Sequence, residues 1–319
     1  AGRTLHAVRV RGLQPGTDYR YRIFSQEVQS WPDVNNVTYG KTVGADASRR
    51  RAYGFRTFPA AGSGCSFLVL NDIHGKADVL TRLCKRVDFS ELGFVAFNGD
   101  MSSSVESGEQ LFKDYLDASA ALFAAGTPIL FTRGNHETRG VFADSLGDYF
   151  PGRDGRFYGI YRYGDVCILL LDCGEDKPDD FWVYYGLNDF TKLRLDQKAF
   201  LEKELKSKEF KKARRHILIN HIPIWGDKDV YTDNYHPWTA LWSPLLEKAK
   251  FDVNLTAHAH FFYVIEKGKQ GNPMPCIGGG GPSMGGKEVG TAMGLQKNGD
   301  KLRLRVFGAD GRTLLDRDL

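Results

Sequence analysis

Five short polar blocks constrain this chain most, because each follows an apolar run that has the length and composition of a buried strand. The runs cover residues 67–70, 94–97, 128–131, 217–219 and 253–255. Residues just past the carboxyl ends of neighbouring strands in an open α/β sheet face one crevice. We therefore expect the blocks to meet at one site. They read Asn71-Asp72-Ile73-His74-Gly75, Asn98-Gly99-Asp100, Arg133-Gly134-Asn135-His136-Glu137, Asn220-His221 and Thr256-Ala257-His258-Ala259-His260.

The residue types in these blocks fit a pair of divalent cations. Two such ions about 3.5–4 Å apart need a shared anionic bridge, and Asp100 is the natural candidate. Mixed imidazole and oxygen ligands favour Mn, Fe, Zn or Co over Ca or Mg alone. The expected cofactors are therefore two divalent metal ions, Mn, Fe, Zn or a mixture. Beside the bridge, we expect Asp72, His74 and His260 at one ion and Asn135, His221 and His258 at the other.

The order of the blocks resembles that of the calcineurin-like metallophosphoesterase superfamily. Its pattern is D-x-H, G-D, G-N-H-E, a lone His and G-H-x-H, and the matching residues run from 72 to 260, with Ala257 in place of the last Gly. The resemblance implies an α/β fold, the four-layer αββα sandwich, over residues 61–319. It also implies a phosphoesterase in which a hydroxide that bridges two metal ions attacks phosphorus.

Three further residues of the third block are candidates for catalysis. The resemblance implies that His136 contacts the phosphate or protonates the leaving oxygen and is oriented by a carboxylate. Glu137 is counted with it as a catalytic candidate. Arg133 stands where the similar protein serine/threonine phosphatases have an arginine that holds a phosphate oxygen, and a guanidinium can bond two oxygens at once. The alternative for Arg133 is an exposed loop arginine.

The first sixty residues predict a different kind of domain. Alternating residues predict strands at 6–10, 19–23 and 53–58. The run Leu13-x-Pro15-Gly16-Thr17-x-Tyr19 resembles the tyrosine corner of fibronectin type III domains, and similar modules precede the catalytic domains of purple acid phosphatases. Such sandwiches hold about seven strands in about 100 residues, so we expect a partial β-sandwich at residues 1–60, before the catalytic domain at 61–319. A shortened or processed terminus would explain the missing strands.

Two positions differ from the purple acid phosphatases. Those enzymes carry Gly where this chain has His74, and a Tyr ligand where it has Ser103. The resemblance therefore implies that no iron–tyrosinate centre forms, and that His74 supplies a ligand as in the wider superfamily.

Sequence periodicity predicts the remaining elements. We expect helices at 79–87, 111–123 and 193–210 and hairpins at 158–171 and 302–315. The spacing of His258 and His260 predicts that both side chains face one side of a strand. His6, His216 and His236 are interpreted as structural or surface histidines.

Composition fits a globular enzyme with one large and one small domain. The chain has 319 residues, 42% of them hydrophobic, and a net charge of +4. The basic runs at 49–51 and 211–215 lack interleaved aromatic residues, so no nucleic-acid partner is indicated. No apolar run approaches the roughly 20 residues of a membrane span, and no signal peptide is visible. The five cysteines indicate neither a metal motif nor a disulfide framework. We expect a secreted or periplasmic, cell-envelope protein of undetermined oligomeric state.

The expected substrate is a small phosphate monoester, because Arg133 and His136 would hold terminal phosphate oxygens. The alternatives are a phosphodiesterase and a non-catalytic adhesion or binding module that its metals stabilise. Two loops could offer rings on which a sugar, base or aryl group stacks, and the glycine run at 278–281 could bring backbone amides near the phosphate. The loop residues are Phe181, Trp182, Tyr184 and Tyr185 in one loop and Tyr231, Tyr235 and His236 in the other.

Overall fold

Most of the chain from residue 65 onward forms two six-stranded sheets that lie face to face, with helices on both outer surfaces. The computed structural model describes residues 5–44, 52–60, 62, 64–226, 236–282 and 290–319. Its strands are β1 (Asp18–Tyr21), β2 (Phe24–Asp33), β3 (Asn36–Gly44), β4 (Tyr53–Arg56), β5 (Cys65–Leu70), β6 (Phe94–Asn98), β7 (Ile129–Thr132), β8 (Gly159–Tyr163), β9 (Val166–Leu171), β10 (Arg215–Asn220), β11 (Val253–Thr256), β12 (Tyr263–Ile265), β13 (Cys276–Gly278), β14 (Thr291–Asn298), β15 (Lys301–Gly308) and β16 (Thr313–Asp318).

Both sheets contain a block of parallel strands, which antiparallel strands flank on one side in the first sheet and on both sides in the second. The first sheet has the order β16-β15-β14-β5-β6-β7, and its parallel strands are β5, β6 and β7. The second has the order β12-β13-β11-β10-β9-β8, with β9, β10, β11 and β13 parallel. The predicted hairpins form as β8–β9 and β15–β16. The carboxyl ends of β5, β6, β7, β10 and β11 carry the five polar blocks.

The alternation of side chains along the strands explains the layers. In β5, Phe67 and Val69 pack between the two sheets, whereas Leu68 and Leu70 pack under the helices. In β10, Ile217 faces the other sheet and its neighbour Leu218 faces the helices. Three separate hydrophobic clusters therefore fill the three interfaces of a four-layer αββα sandwich. This confirms the predicted fold class.

The helices are mostly short, and one prediction among them is wrong. The expected helix at 193–210 is two helices, because the Ser207 hydroxyl accepts a hydrogen bond from the Phe210 amide at 3.1 Å and caps a new start. Residues 108–124 form one run of mixed α and π turns. The helices are α1 (Ala77–Cys84), α2 (Gly108–Leu111), α3 (Asp117–Ser119), α4 (Leu146–Tyr149), α5 (Thr191–Glu204), α6 (Lys208–Lys211) and α7 (Thr239–Ala249), with π turns Phe112–Leu116 and Ala120–Ala124 and 3₁₀ turns Phe89–Glu91, His136–Thr138, Ala143–Ser145 and Trp182–Tyr184.

The N-terminal strands form two small sheets in which β1 pairs with β4 and β2 with β3. The strand predicted at 6–10 is wrong. Val8 and Val10 are 84% and 63% exposed and none of the described strands pairs with them, so the alternating pattern buries no surface against the described residues. Tyr19 accepts a hydrogen bond from the Gln14 amide at 2.8 Å, a contact of the tyrosine-corner kind. The assignment of this module as fibronectin-like stays a prediction.

Two further observations bear on the sequence predictions. All five cysteines are buried free thiols. Among the described residues, no helix combines the length and the apolar character that crossing a membrane requires.

Candidate active site

The five polar blocks converge at one edge of the sandwich, between the two sheets. The first sheet brings Asp72, His74, Asp100 and Asn135, and the second brings His221, His258 and His260. Backbone hydrogen bonds join the blocks within each sheet. The backbone amide of Asp72 donates to the Gly99 carbonyl at 3.0 Å, and the backbone amide of Ala257 donates to the His221 carbonyl at 2.8 Å.

Two overlapping clusters of potential metal ligands result. In the first, the ligand atoms of Asp72, His74, Asp100 and His260 all lie within 4.8 Å of one another. His74 Nε2 is 3.1 Å from His260 Nε2, and His260 Nε2 is 3.5 Å from Asp72 Oδ1. This is the grouping that the sequence predicts for one ion.

The second cluster consists of Asp100, His221 and His258, whose ligand atoms meet the same 4.8 Å limit. His221 Nε2 lies 3.1 Å from Asp100 Oδ2. Asn135 joins this group, because its side-chain oxygen is 3.1 Å from His258 Nδ1. Asp100 belongs to both clusters and therefore holds the position of the predicted bridge.

Each carboxylate uses one oxygen for the protein and aims the other into the centre. Asp100 Oδ1 accepts the His136 amide at 3.0 Å, and Asp72 Oδ2 accepts from Asn71 Nδ2 at 2.6 Å. The remaining atoms, Asp100 Oδ2 and Asp72 Oδ1, are buried and have no hydrogen-bond partner among the described residues. Buried acceptors without a partner are costly, so their convergence indicates a site for cations.

The histidines fit the same interpretation. His221 Nδ1 donates to the Asn98 carbonyl at 2.7 Å, which fixes the proton on that nitrogen. Its Nε2 is also buried and faces the centre, 3.1 Å from Asp100 Oδ2. Imidazole and carboxylate groups arranged in this way suit first-row transition metals or zinc. The residues present therefore fit two metal ions.

Burial and charge set the protonation of these groups. Burial lowers the pKa of His74 and of His258 to about 4, so both imidazoles are neutral near pH 7. Burial also acts against the charged form of His221, but the Asp100 carboxylate outweighs it and raises the pKa of His221 to about 10. Burial opposes ionisation of Asp100 as well, yet the neighbouring imidazoles lower its pKa overall. Asp100 is therefore a carboxylate.

The backbone at the ligands is strained. Nine described residues other than glycine have positive φ, and five of them are candidate ligands. This left-handed region is uncommon for residues with a Cβ atom, and such strain concentrates at functional sites. The five are Asp72 (φ 48°), His74 (φ 50°), Asp100 (φ 54°), His258 (φ 70°) and His260 (φ 61°). The prediction that His258 and His260 alternate along a strand is thus wrong, because β11 ends at Thr256.

Glycines let the blocks approach one another. Gly99 has φ 76°, and a Cβ there would overlap the Gly134 backbone. A Cβ on Gly134 would in turn overlap the Asp100 carboxylate. The second and third blocks can therefore meet only with glycine at both positions.

Glu137 does not reach the ligand centre, contrary to its prediction as a catalytic residue. Its carboxylate is fully buried and accepts backbone N–H groups from the second and third blocks. The donors are Asp100 at 2.7 Å, Met101 at 2.7 Å, Ser102 at 3.4 Å and Gly134 at 2.8 Å. Glu137 is a positioning residue that ties the turn of Asp100 to the turn of Asn135.

His136 lies at the rim of the centre, and a backbone carbonyl orients it instead of the expected carboxylate. Its Nδ1 is 2.7 Å from the Ser103 carbonyl, and its Nε2 is 3.9 Å from Asp100 Oδ2. The Ser103 hydroxyl also lies 3.2 Å from His74 Nδ1. Ser103 therefore contacts two histidines of the site, a role that sequence reasoning missed because it marked this position only as a missing tyrosine.

The structure gives Arg133 and Arg139 different surroundings. Arg133 Nε donates to Asp172 at 2.8 Å, and its guanidinium stacks on Phe157, which turns it toward the end of β9. Arg139 Nη1 is instead 3.3 Å from His136 Nε2, and Arg139 forms two hydrogen bonds to the buried Glu175 at 2.5 and 2.9 Å. The arginine beside His136 is therefore Arg139, which the sequence analysis did not consider.

The glycine run does not offer free amides to a phosphate. Gly279 and Gly281 donate to the carbonyls of Thr256 and His260, and Gly280 donates to the Thr291 hydroxyl. Cβ atoms at Gly279 and Gly281 would collide with Asn71 and Asp72. The absence of Cβ atoms in this run instead lets it pack closely against Asn71 and Asp72 of the first polar block.

The aromatic loops are described in part. Trp182 and Tyr185 are 69% and 82% exposed, near the site. His236 is buried, stacks on Trp238 and lies 2.7 Å from the Asp176 carbonyl. The predictions for Tyr231 and Tyr235, and for the basic run at 49–51, lie outside the described residues.

Comparison with known proteins identifies the family. The calcineurin-like phosphoesterase family matches residues 65–262, which include every candidate ligand. The chain belongs to this family, a class of metal-dependent phosphoric ester hydrolases. Membership implies divalent metals, and the Asp and His clusters are where they could bind. No curated protein matches the sequence.

Solved structures share the fold at low sequence identity. A purple acid phosphatase from yellow lupin (Lupinus luteus) is 13% identical with a TM-score of 0.62, over 97% of this chain and 60% of its own. A dimetal phosphatase from Danio rerio is 13% identical with a TM-score of 0.55, over 80% of this chain and 98% of its own. GAP50, the anchor in the inner membrane complex of Plasmodium, is 14% identical with a TM-score of 0.52, over 81% and 89%. The chain thus spans 60% of the length of the lupin enzyme.

Proposed function

We propose that this protein hydrolyses small phosphate monoesters at a centre of two divalent metal ions. The observation that carries the proposal is the convergence of three buried atoms that the described residues leave without a hydrogen bond: Asp72 Oδ1, Asp100 Oδ2 and His221 Nε2, of which the last two lie 3.1 Å apart. When bound, two such ions supply Lewis acidity and lower the pKa of an attacking water toward neutrality. One ion would be held by Asp72, His74, Asp100 and His260, and the other by Asp100, Asn135, His221 and His258.

The remaining residues of the site act on the phosphate ester itself. His136 Nε2 lies at the rim of the centre and is 26% exposed, so it can contact a phosphate oxygen or give a proton to the leaving oxygen. Arg139 presents a guanidinium beside it, and we assign to Arg139 the phosphate contact first expected of Arg133. Two cationic or donor groups next to the metals favour a dianionic monoester over a diester, which has one terminal charge fewer.

The domain division and the location are further parts of the proposal. We propose a fibronectin type III-like module at residues 1–60 and a catalytic domain at 61–319. The hydrogen bond between Gln14 and Tyr19 supports the first assignment. Location in a secreted or cell-envelope compartment stays a prediction.

The test is metal reconstitution followed by assays on a panel of aryl phosphate mono- and diesters with Mn, Zn and Fe. We expect two ions per chain by elemental analysis and faster turnover of the monoesters. Asp100→Ala should lose both the second ion and activity. Asp154→Ala is the matched control, because Asp154 also has positive φ (61°) but belongs to neither cluster.

Three outcomes would contradict the proposal in different ways. One ion or none in the reconstituted protein would refute the ligand assignment. Faster diester hydrolysis would favour the phosphodiesterase alternative. A fully metal-loaded protein that hydrolyses no phosphate ester would favour the non-catalytic module.

A further inference from the structure

A groove opens beside the metal-ligand centre, on the side of His136. It has a volume of about 570 Å³, which lies in the usual range for small-molecule sites. Its inner wall is the Arg139–Glu175 pair, and its outer wall is the segment with the 3₁₀ turn Trp182–Tyr184. We call it the side groove and define it by Arg139, Glu175, Trp182, Tyr184, Tyr185 and Asn188.

The side groove is continuous with the centre through Arg139. That residue lines the groove, and its Nη1 lies 3.3 Å from His136 Nε2. In a phosphate ester, the phosphorus and the organic group are both bonded to the same oxygen. When phosphorus sits at the metals, the organic group must therefore leave past the rim, and the side groove adjoins that rim.

The charges of the side groove cancel. The two carboxylates in its wall each have a cationic partner: Arg139 holds Glu175 through two hydrogen bonds, and Lys177 lies 2.6 Å from Asp176. Among the described residues that line the groove, two positive and two negative groups balance, so these residues offer no surplus charge to a second phosphate. The charge balance favours an uncharged organic group.

Exposed aromatic surface further defines the occupant. Trp182 and Tyr185 present rings that are 69% and 82% exposed, and both line the groove. A flat ring in the groove can stack on these aromatic residues.

We propose that the side groove binds the organic group of the phosphate ester, and that this group is an uncharged aromatic ring. The inference rests on the proposed function, because it places phosphorus at the metal ions. It adds the chemical class of the leaving group, which neither the fold nor the metal ligands define.

The test measures binding of phosphonates, which are not hydrolysed, to the metal-loaded protein by calorimetry. Methylphosphonate reports on the metal centre alone, and phenylphosphonate adds a ring. We expect phenylphosphonate to bind about fivefold more tightly than methylphosphonate, the size of one aromatic contact.

Variants separate the side groove from general effects on the protein. Trp182→Ala should abolish most of the advantage of the phenyl ring and leave methylphosphonate affinity unchanged. Trp31→Ala is the matched control, since Trp31 is also exposed (52%) but lies in β2 of the N-terminal region. Thermal unfolding of each variant should match that of the unmodified protein, because both side chains are largely exposed.

The outcomes distinguish failure of the side-groove proposal from failure of the proposed function. Equal affinity for methyl- and phenylphosphonate, or an advantage that survives both Trp182→Ala and Tyr185→Ala, would overturn the side groove but leave the metal centre. No binding of any phosphonate to protein that contains two metal ions would overturn the proposed function and the groove with it.

Discussion

Nδ1 of His136 donates a 2.7 Å hydrogen bond to the carbonyl oxygen of Ser103. A carbonyl oxygen only accepts, so this bond fixes a proton on Nδ1. Nε2 is then the nitrogen that faces the centre, 3.9 Å from Asp100 Oδ2. In the proposed function, Nε2 is the nitrogen that would exchange a proton with the substrate. The imidazole ring is oriented by a backbone carbonyl and not by a carboxylate, which would interact with the positive charge of the protonated ring.

We expect His136→Ala to lower kcat by about 10²–10⁴-fold, because it removes a proton donor or a phosphate contact that strengthens in the transition state. The loss should be smaller for esters with good leaving groups, which need little protonation. Both metal ions should stay bound, since the contact from residue 136 to Asp100 comes from the backbone amide. His6→Ala, in an exposed N-terminal segment, is the control. Near-full turnover of a poor leaving group by His136→Ala would refute the assignment.

Arg139 and Arg133 form a matched pair, because each pairs with a buried carboxylate, Glu175 or Asp172. Replacing either by Ala leaves that carboxylate unpaired and should lower stability. Only Arg139→Ala should also lower kcat/KM, by about 10–100-fold, the value of one or two hydrogen bonds to a charged phosphate. Arg139→Lys should recover part of the loss. Steady-state kinetics on one monoester decides, and equal losses for both arginines would contradict the assignment of Arg139.

The Ser103 position predicts a spectroscopic property. Its hydroxyl lies 3.2 Å from His74 Nδ1, where the similar purple enzymes place a tyrosine ligand. Protein loaded with iron should therefore show no tyrosinate charge-transfer band in its visible spectrum. A purple solution would mean that another tyrosine binds the metal and that the ligand set is wrong.

Asp179 predicts a pH dependence of stability away from the site. Its partial burial would raise its pKa, but hydrogen bonds from Thr191 and the Phe190 amide lower the pKa overall. The folded state therefore favours the carboxylate, and its contribution to stability is present above the ordinary pKa of about 3.9 and is lost as the pH falls through the lower folded value. Asp179→Ala should cost about 1 kcal/mol at pH 7, as other caps of a helix start do.

Chemical unfolding at pH 7 and at pH 3 measures this effect. The difference between Asp179→Ala and the unmodified protein should be smaller at pH 3. Asp180→Ala is the neighbouring control, because Asp180 is exposed and does not contact the start of α5. An equal loss of stability at both pH values would contradict the capping role.

The convergence of the five blocks and the grouping of the ligands were predictable because they depend on local patterns. Apolar runs such as β5 and β10 are buried on both faces, and the polar residue that follows each run must lie at the sheet edge. The order of Asp72, Asp100 and His221 along the chain then placed them together. For these residues, sequence position and spatial position are coupled by the topology of the sheet.

The contacts around the ligands were not predictable from such patterns. The left-handed backbone at Asp72 and Asp100 has no local signal, since only tertiary contacts force it. Arg139 and Glu175 are 36 residues apart, and their pairing depends on how the two sheets stack. The break before α6 had a signal in Ser207, but the helical period of the flanking residues concealed it.

The two sheets contribute different ligands to the same centre, with carboxylates from the first and most imidazoles from the second. Metal ions bound there would link the two sheets at the edge where the polar blocks meet. The affinity for metal would then add directly to the free energy of unfolding, by about 2.7 kcal/mol when free metal exceeds its dissociation constant a hundredfold. Removal of the metal ions by a chelator would weaken the contact between the sheets at that edge. The hydrophobic interior, which includes Phe67 and Ile217, would still hold the sheets together. The concentration of available metal ions would thus affect the stability of the fold as well as its catalytic activity.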